Sequence, residues 1–217
     1  MQSNTKRITT LAMLAALSIL VMMVIRFPMF APFLTYDPKE VIIVIGGFLY
    51  GPLAAMVVII VVALIEMITV SDTAFWGLLM NILSSAAFVI PAVLIYRRWR
   101  NLPGAVIGLI IGVITVTVVM LLWNYLIVPL YMPWVTRPDV VPMLTAIFLP
   151  FNLLKNGLNA AIVMLMYKPV SMALTRAGLY HTKSEGTGGK LNLWVVLISA
   201  FIVLSLVLVI LAERGVI

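Results

Sequence analysis

A stripe of polar side chains interrupts an otherwise apolar segment between about residues 143 and 167. Asn152, Lys155, Asn156 and Asn159 are spaced i, i+3, i+4 and i+7, which places them on one face of a helix. Amide groups both donate and accept hydrogen bonds, and an ammonium group donates. These groups form neither a nucleophile–base pair nor a metal site, so the stripe is typical of binding and not of catalysis.

Lys155 decides how this stripe is interpreted. A lysine at membrane depth costs roughly 2.5 to 3.5 kcal/mol or more, so it is expected to face a bundle interior and to have a partner. The alternative is that Lys155 snorkels to a lipid headgroup while the asparagines hold helices together. Lys155 lies about twelve residues after Met143, or roughly 18 Å along a helix. That depth favours the ligand-facing interpretation.

The composition is typical of a polytopic membrane protein. Of the 217 residues, 64% are hydrophobic and 10% are charged, and the mean hydropathy is +1.22. A soluble domain of this length cannot bury so much apolar surface. With no cysteine and one histidine, His181, in a polar loop, disulfides, thiolate chemistry and a histidine-rich metal site are excluded. The net charge of +7 indicates loops near anionic lipid, and nothing indicates nucleic-acid binding.

Apolar runs and helix breakers predict an all-α membrane bundle. Helices are expected over about residues 8–25, 41–50, 52–70, 74–96, 103–128 and 143–167. A further apolar run over 191–212 is long enough to span a membrane and follows a glycine-bearing polar stretch. The predicted organisation is therefore a six-helix bundle over 1–176, a linker over 177–190 and a seventh transmembrane segment within 191–217.

The segment from Arg26 to Pro38 is predicted to be a loop. It carries several aromatic residues, and it is punctuated by Pro28, Pro32 and Pro38. The aromatic residues fit a belt at the membrane surface, and equally a lid over a binding pocket that the prolines stiffen. The sequence leaves both interpretations open.

Several other polar and aromatic residues fall toward one membrane face. Lysine and arginine are more frequent in the loops on the side of the N-terminus, which predicts a cytoplasmic N-terminus. Lys39 is counted among the loop charges of the outer side, and Glu66 as the only acidic residue within an apolar span. Amides and aromatic rings suit a flat heterocycle captured from outside. The candidate binding residues on this basis are Glu66, Trp123, Asn124, Asn152, Lys155 and Asn156.

Six collinear motifs over about residues 8–176 resemble one family of membrane proteins. That family is the riboflavin-specific S component of energy-coupling factor (ECF) transporters. The motifs are Leu34-Thr-Tyr-Asp-Pro-Lys39-Glu-Val, Gly47-Phe-Leu-Tyr-Gly-Pro52, Met80-Asn-Ile-Leu-Ser-Ser85, Trp123-Asn-Tyr125 with Pro129-Leu-Tyr131, Pro150-Phe-Asn-Leu-Leu-Lys155, and Tyr167-Lys-Pro169.

The resemblance implies a flavin pocket that opens to the outside and is gated by the loop after the first helix. It implies that Asn152 and Lys155 contact the flavin ring. By their positions in the motifs and helices, Leu34, Tyr36, Glu66, Asn81 and Asn124 are expected to lie near the pocket. It also implies that Ala12 and Ala16, a small-xxx-small pair, dock on a transmembrane T subunit above two ATPases. The ligand is expected to be riboflavin or flavin mononucleotide (FMN), carried as cargo, with no cofactor and no enzymatic activity. The seventh apolar run departs from the six-helix pattern of the family.

Three alternatives stay open at this point. The chain could be an S component for another vitamin, such as thiamin or biotin. It could be a membrane-embedded enzyme acting on lipid or isoprenoid, although it lacks a clustered acid, metal or histidine set. It could also be a structural subunit that binds no ligand.

Overall fold

A computed structural model describes residues 4–70, 74–131 and 135–176, together with isolated positions between 197 and 207. The helices are Asn4–Val24 (α1), Lys39–Tyr50 (α2), Pro52–Thr69 (α3), Ala74–Trp99 (α4), Leu102–Tyr131 (α5), Arg137–Met143 (α6) and Leu149–Arg176 (α7), with a π-helical turn at Leu144–Phe148. Of the described segments, five are long and apolar enough to cross a membrane: Thr5–Val24, Pro52–Thr69, Phe75–Trp99, Leu102–Leu130 and Arg137–Val170. The predicted all-α membrane bundle is confirmed, and the predicted linker and most of the run 191–212 lie outside the described residues.

α2 is too short to cross a membrane alone, yet it lies at the centre of the bundle. It has 12 residues, all buried from Lys39 to Phe48, and it packs against α1, α3, α4 and α7. The helix begins two residues earlier than predicted, so Lys39 and Glu40 form its first turn. The prediction that Glu66 is the only acidic residue in an apolar span is therefore wrong, because Glu40 is a second one.

The segment predicted as a loop after α1 contains a β-hairpin. β1 (Phe27–Met29) pairs antiparallel with β2 (Ala31–Tyr36), and Phe27 lies opposite Tyr36. The turn is made at Phe30, whose φ is 64°. The prediction of a loop is wrong for Phe27–Tyr36: the prolines indicated a loop, but both strands of a two-stranded ribbon are edges, where a proline is tolerated. The alternation of strand side chains buries Met29 and Tyr36.

The hairpin covers the N-terminal half of α7. Met29 and Tyr36 form an apolar cluster with Phe151 and Leu158 of that helix. Each strand contributes one residue to this contact, so the hairpin lies directly over the helix that carries the polar stripe.

The last long helical segment starts earlier than predicted. It begins at Arg137, where Thr136 and Asp139 form a capping box, and it continues through the π-helical turn into α7. Lys155 therefore lies farther from the helix start than the predicted start at Met143 implied, and snorkelling toward that end is disfavoured.

α4 and α5 approach each other through two glycines. A Cβ at Gly108 would lie 2.7 Å from the backbone oxygen of Ala92, and one at Gly112 would lie 2.5 Å from that of Phe88. Only residues without a side chain allow this backbone contact. The close packing fixes α5 beside the rest of the bundle.

Candidate functional site

A cluster of charged side chains is buried where the hairpin, α2, α3 and α7 meet. Asp37 is 3% exposed, Lys39 and Glu40 are each 2% exposed, and Glu66 is 5% exposed. The Lys155 side chain is 12% exposed. Charges this deep are retained only where they are paired, so their partners define the geometry of the site.

One chain of ion pairs crosses the cluster. The Glu66 Oε2 accepts a hydrogen bond from the Lys39 Nζ at 2.6 Å. The Lys39 Nζ lies 3.6 Å from the Asp37 Oδ1, and the Asp37 Oδ2 accepts a hydrogen bond from the Lys155 Nζ at 3.0 Å. The 3.6 Å contact is an ion pair but not a hydrogen bond, and among the described residues the Oδ1 atom has no hydrogen-bond partner. This chain connects α3, α2, the end of the hairpin and α7.

A second chain runs beside the first through polar groups. The Tyr36 hydroxyl donates to the Asn159 Oδ1 at 3.1 Å. The Asn159 Nδ2 donates to the Glu40 Oε2 at 3.2 Å, and the Ser85 Oγ donates to the Glu40 Oε1 at 3.1 Å. Both oxygens of the buried Glu40 carboxylate are thereby satisfied, and the hairpin is connected to α7, α2 and α4.

Local sequence explains why two chains run side by side. Tyr36 ends β2 and Asp37 follows it, while Lys39 and Glu40 form the first turn of α2. Lys155 and Asn159 lie one helical turn apart on α7, so they project from the same face. The short polar run around Pro38 therefore contributes side chains to both chains of contacts, and each of them includes one residue of α7.

The charges around Asp37 keep its carboxylate ionised. Burial by itself would raise the pKa of Asp37, but the ammonium groups of Lys155 and Lys39 outweigh burial and lower the pKa to about 2. Burial, together with the nearby Glu40 and Asp37 carboxylates, raises the pKa of the Tyr36 hydroxyl. Tyr36 is therefore a neutral hydrogen-bond donor, and Asp37 is an anion.

Three buried asparagines present unused acceptors. Asn124, Asn152 and Asn156 donate their amide nitrogens to the backbone oxygens of Met120, Phe148 and Asn152, at 2.7, 2.8 and 2.9 Å. Their side-chain oxygens make no hydrogen bond within the part of the chain that the structure describes. The buried indole Nε1 of Trp123 likewise has no partner there. Acceptors and a donor of this kind suit a ligand with its own polar edge.

The structure brings most of the predicted residues into or beside this cluster. Tyr36, Glu66 and Lys155 belong to the two chains, and Asn152 and Asn156 lie on the same face of α7. Leu34 packs against both the hairpin cluster and a neighbouring apolar cluster around Val128, Val140 and Phe148. The remaining predicted residues hold positions on α4 and α5, where Asn81 and Trp123 are partly buried and Asn124 is buried.

Ala12 and Ala16 lie apart from the cluster. Both are exposed on α1, whereas the neighbouring Ala15 is buried. This separation agrees with a surface role and not with ligand contact.

Four members of the cluster were not among the predicted binding residues: Asp37, Lys39, Glu40 and Ser85. Asn159 was predicted only as part of the polar stripe. Placing Lys39 among exposed loop charges was wrong, because its ammonium group is buried between two carboxylates. The available indications were the charged run directly before an apolar segment and a second polar stripe on α4, where Asn81, Ser84 and Ser85 are spaced i, i+3 and i+4.

Comparison with known proteins decides the family. The family model described as the substrate-specific component of ECF transporters matches residues 6–167. The chain belongs to this family. As an S component it is a multi-pass protein of the cell membrane that takes part in transport, and it is not an enzyme. The matched region lies within the helical bundle and ends before residues 177–190.

Individual relatives each match more than three quarters of this S component. It is 32% identical over 184 residues to the riboflavin transporter RibU of Staphylococcus aureus (strain TCH60), covering 81% of this chain and 95% of that protein. It is 25% identical over 173 residues to the riboflavin transporter FmnP of Bacillus subtilis (strain 168), covering 76% and 91%. A solved S component of a bacterial ECF transporter matches with a TM-score of 0.69 and 29% identity, covering 80% of this chain and 100% of that one.

Proposed function

We propose that this S component captures riboflavin outside the cell and delivers it inward together with a T subunit and two ATPases. The observation that carries the proposal is the 32% identity to a riboflavin transporter across 95% of its length. The buried amide and ammonium stripe on α7 agrees with it, because a flavin ring presents both donors and acceptors along one edge.

The binding residues are proposed from chemistry and burial. Asn152 and Lys155 are assigned to the flavin ring, with Asn156 beside them on α7. Other positions are assigned to the walls of the site by their placement around the hairpin and the outer parts of α3, α4 and α5. These are Leu34, Tyr36, Glu66, Asn81, Trp123 and Asn124.

The proposed orientation has a cytoplasmic N-terminus. α1, α2, α3 and α4 alternate in direction, since the start of α2 lies at the end of α3 and Gly51, between α2 and α3, lies beside Arg97 at the end of α4. α1 therefore starts and α4 ends at the same end of the bundle. The end of α4 carries the exposed Arg97, Arg98 and Arg100, which favours the cytoplasmic side for that end. The charged cluster lies at the other end of α3, which supports a site that is loaded from outside.

The exposed alanine face of α1 is assigned to the T subunit. Ala12 and Ala16 allow a partner helix to approach closely. Within the chain, we assign 1–176 to the binding bundle, 177–190 to a linker and 191–217 to an additional membrane segment.

Riboflavin binding to the purified full-length protein tests the proposal. Riboflavin fluorescence should be quenched on titration at nanomolar to micromolar concentrations, and competition with FMN, thiamin and biotin should rank the ligands. FMN is the close competitor, because it shares the flavin ring. Displacement by thiamin or biotin would assign another vitamin, and the absence of flavin binding would exclude the proposal.

A further inference from the structure

The hairpin separates the polar face of α7 from solvent. Asn156 is 2% exposed, Asn159 is 0% exposed, and Glu40 is 2% exposed. Above them, Met29 and Tyr36 of the hairpin pack on Phe151 and Leu158. A solute arriving from water therefore reaches these polar groups only after the hairpin has moved away from α7.

Two polar contacts tie the end of the hairpin to α7. They are the hydrogen bond from Lys155 to Asp37 at 3.0 Å and the one from Tyr36 to Asn159 at 3.1 Å. The strong Lys39–Glu66 pair joins α2 to α3 and does not cross the gap between hairpin and α7. Separation of the hairpin from α7 therefore breaks the first two contacts and leaves the third intact.

Asp37 is shared between the two sides of this gap. One carboxylate oxygen binds Lys155 on α7, while the other lies 3.6 Å from the Nζ of Lys39. Lys39 follows Asp37 by two residues in the sequence. If the hairpin leaves α7, Asp37 keeps the ammonium group of Lys39. An unpaired buried carboxylate would strongly oppose such a movement, so the position of Lys39 makes opening feasible.

We propose that Asp37 is the latch that closes the hairpin over α7, and that it positions the Lys155 ammonium group for the ligand. In the closed arrangement the carboxylate is shared by Lys155 and Lys39. In the open arrangement it stays with Lys39 and releases Lys155. The positioning of Lys155 rests on the proposed function, whereas the latch is a property of the ligand-free protein.

A single engineered thiol reports opening without any ligand. The chain contains no cysteine, so Ser85→Cys introduces a single thiol. It lies next to Glu40, which is connected through Asn159 to Tyr36 of the hairpin, and the position is 3% exposed. A small methanethiosulfonate reagent should modify it only when the hairpin is open. In this background Asp37→Asn is expected to accelerate labelling about tenfold or more, the change that corresponds to losing one charge-assisted hydrogen bond.

Tyr96→Phe is the matched control. It removes the hydrogen bond between the hydroxyls of Tyr96 and Tyr167, which joins α4 to α7 away from the hairpin. The melting temperature should fall while the labelling rate stays unchanged. If Asp37→Asn does not fold, Tyr36→Phe serves as the second variant, since it removes the other tie with little change in shape and should also accelerate labelling.

Riboflavin kinetics complete the test. Saturating riboflavin should suppress labelling of the Ser85→Cys protein, and Asp37→Asn should release riboflavin about tenfold faster or more. Equal labelling rates with and without Asp37→Asn, or equal acceleration by Tyr96→Phe, would overturn the latch. Accelerated labelling in a protein that binds no riboflavin would support the latch and overturn the proposed function.

Discussion

The Lys39 Nζ lies 2.6 Å from the Glu66 Oε2 and joins the first turn of α2 to the last turn of α3. The two helices are antiparallel neighbours, so the pair closes them at the end where the charged cluster lies. Both side chains are buried, and neither charge has solvent to replace its partner.

Removing one member of this pair should destabilise the bundle. Lys39→Met leaves the Glu66 carboxylate without its ammonium partner, and the expected loss of unfolding free energy is about 3 to 5 kcal/mol. Lys39→Met combined with Glu66→Gln should recover part of that loss. Unfolding in detergent, followed by tryptophan fluorescence, measures the free energy of unfolding of the single and the double variant. A double variant as unstable as the single variant would show that the two charges are not coupled.

Shortening the polar stripe of α7 should weaken flavin binding. Lys155→Ala and Asn152→Ala are each expected to cost about 1 to 3 kcal/mol of binding free energy, because each removes a buried hydrogen-bonding group. Leu153→Ala on the exposed side of the same helix is the matched control and should bind normally. Riboflavin titration measures the affinities, and unchanged values for both variants would remove these residues from the site.

Two glycine-to-alanine changes should have opposite effects on stability. Gly112→Ala places a Cβ 2.5 Å from the backbone oxygen of Phe88, so α4 and α5 must separate and the melting temperature should fall. Gly157→Ala meets nothing within 4 Å. Because alanine is a better helix former than glycine, it should stabilise α7 by roughly 0.5 to 1 kcal/mol. Melting curves in detergent compare the two, and equal destabilisation would contradict the close α4–α5 packing.

Bulky residues on the outer face of α1 should block assembly but not ligand capture. Ala12→Trp and Ala16→Trp add volume where a partner helix is proposed to pack. Riboflavin affinity of the isolated protein should stay unchanged, while co-purification with the T subunit and ATP-dependent uptake are lost. Val57→Trp, on the exposed side of α3, is the control for added bulk. Normal assembly of both alanine variants would assign docking to another surface.

Some of the site follows from the sequence because helical periodicity is local. The spacing of Asn152, Lys155 and Asn156 fixes a common face, and the cost of a charge in lipid turns that face inward. The i, i+3 and i+4 spacing of Asn81, Ser84 and Ser85 likewise places these three residues on one face of α4. None of it required knowledge of which helices are neighbours.

The hairpin could not be predicted from helical periodicity. Strand pairing between Phe27 and Tyr36 depends on a turn at Phe30 and on packing against Phe151, and prolines in the segment favoured a loop. Edge strands tolerate proline, so the tertiary contact decided the local structure.

What the sequence determined by itself is an all-α membrane bundle with an inward polar stripe on its last long helix, since hydropathy and periodicity act over a few turns. Only the tertiary structure decided which charges pair. Asp37 and Lys155 are 118 residues apart, and Lys39 could equally have been a solvated loop residue. Ion pairs across such distances form because the fold excludes water from that place, and no local pattern encodes that exclusion.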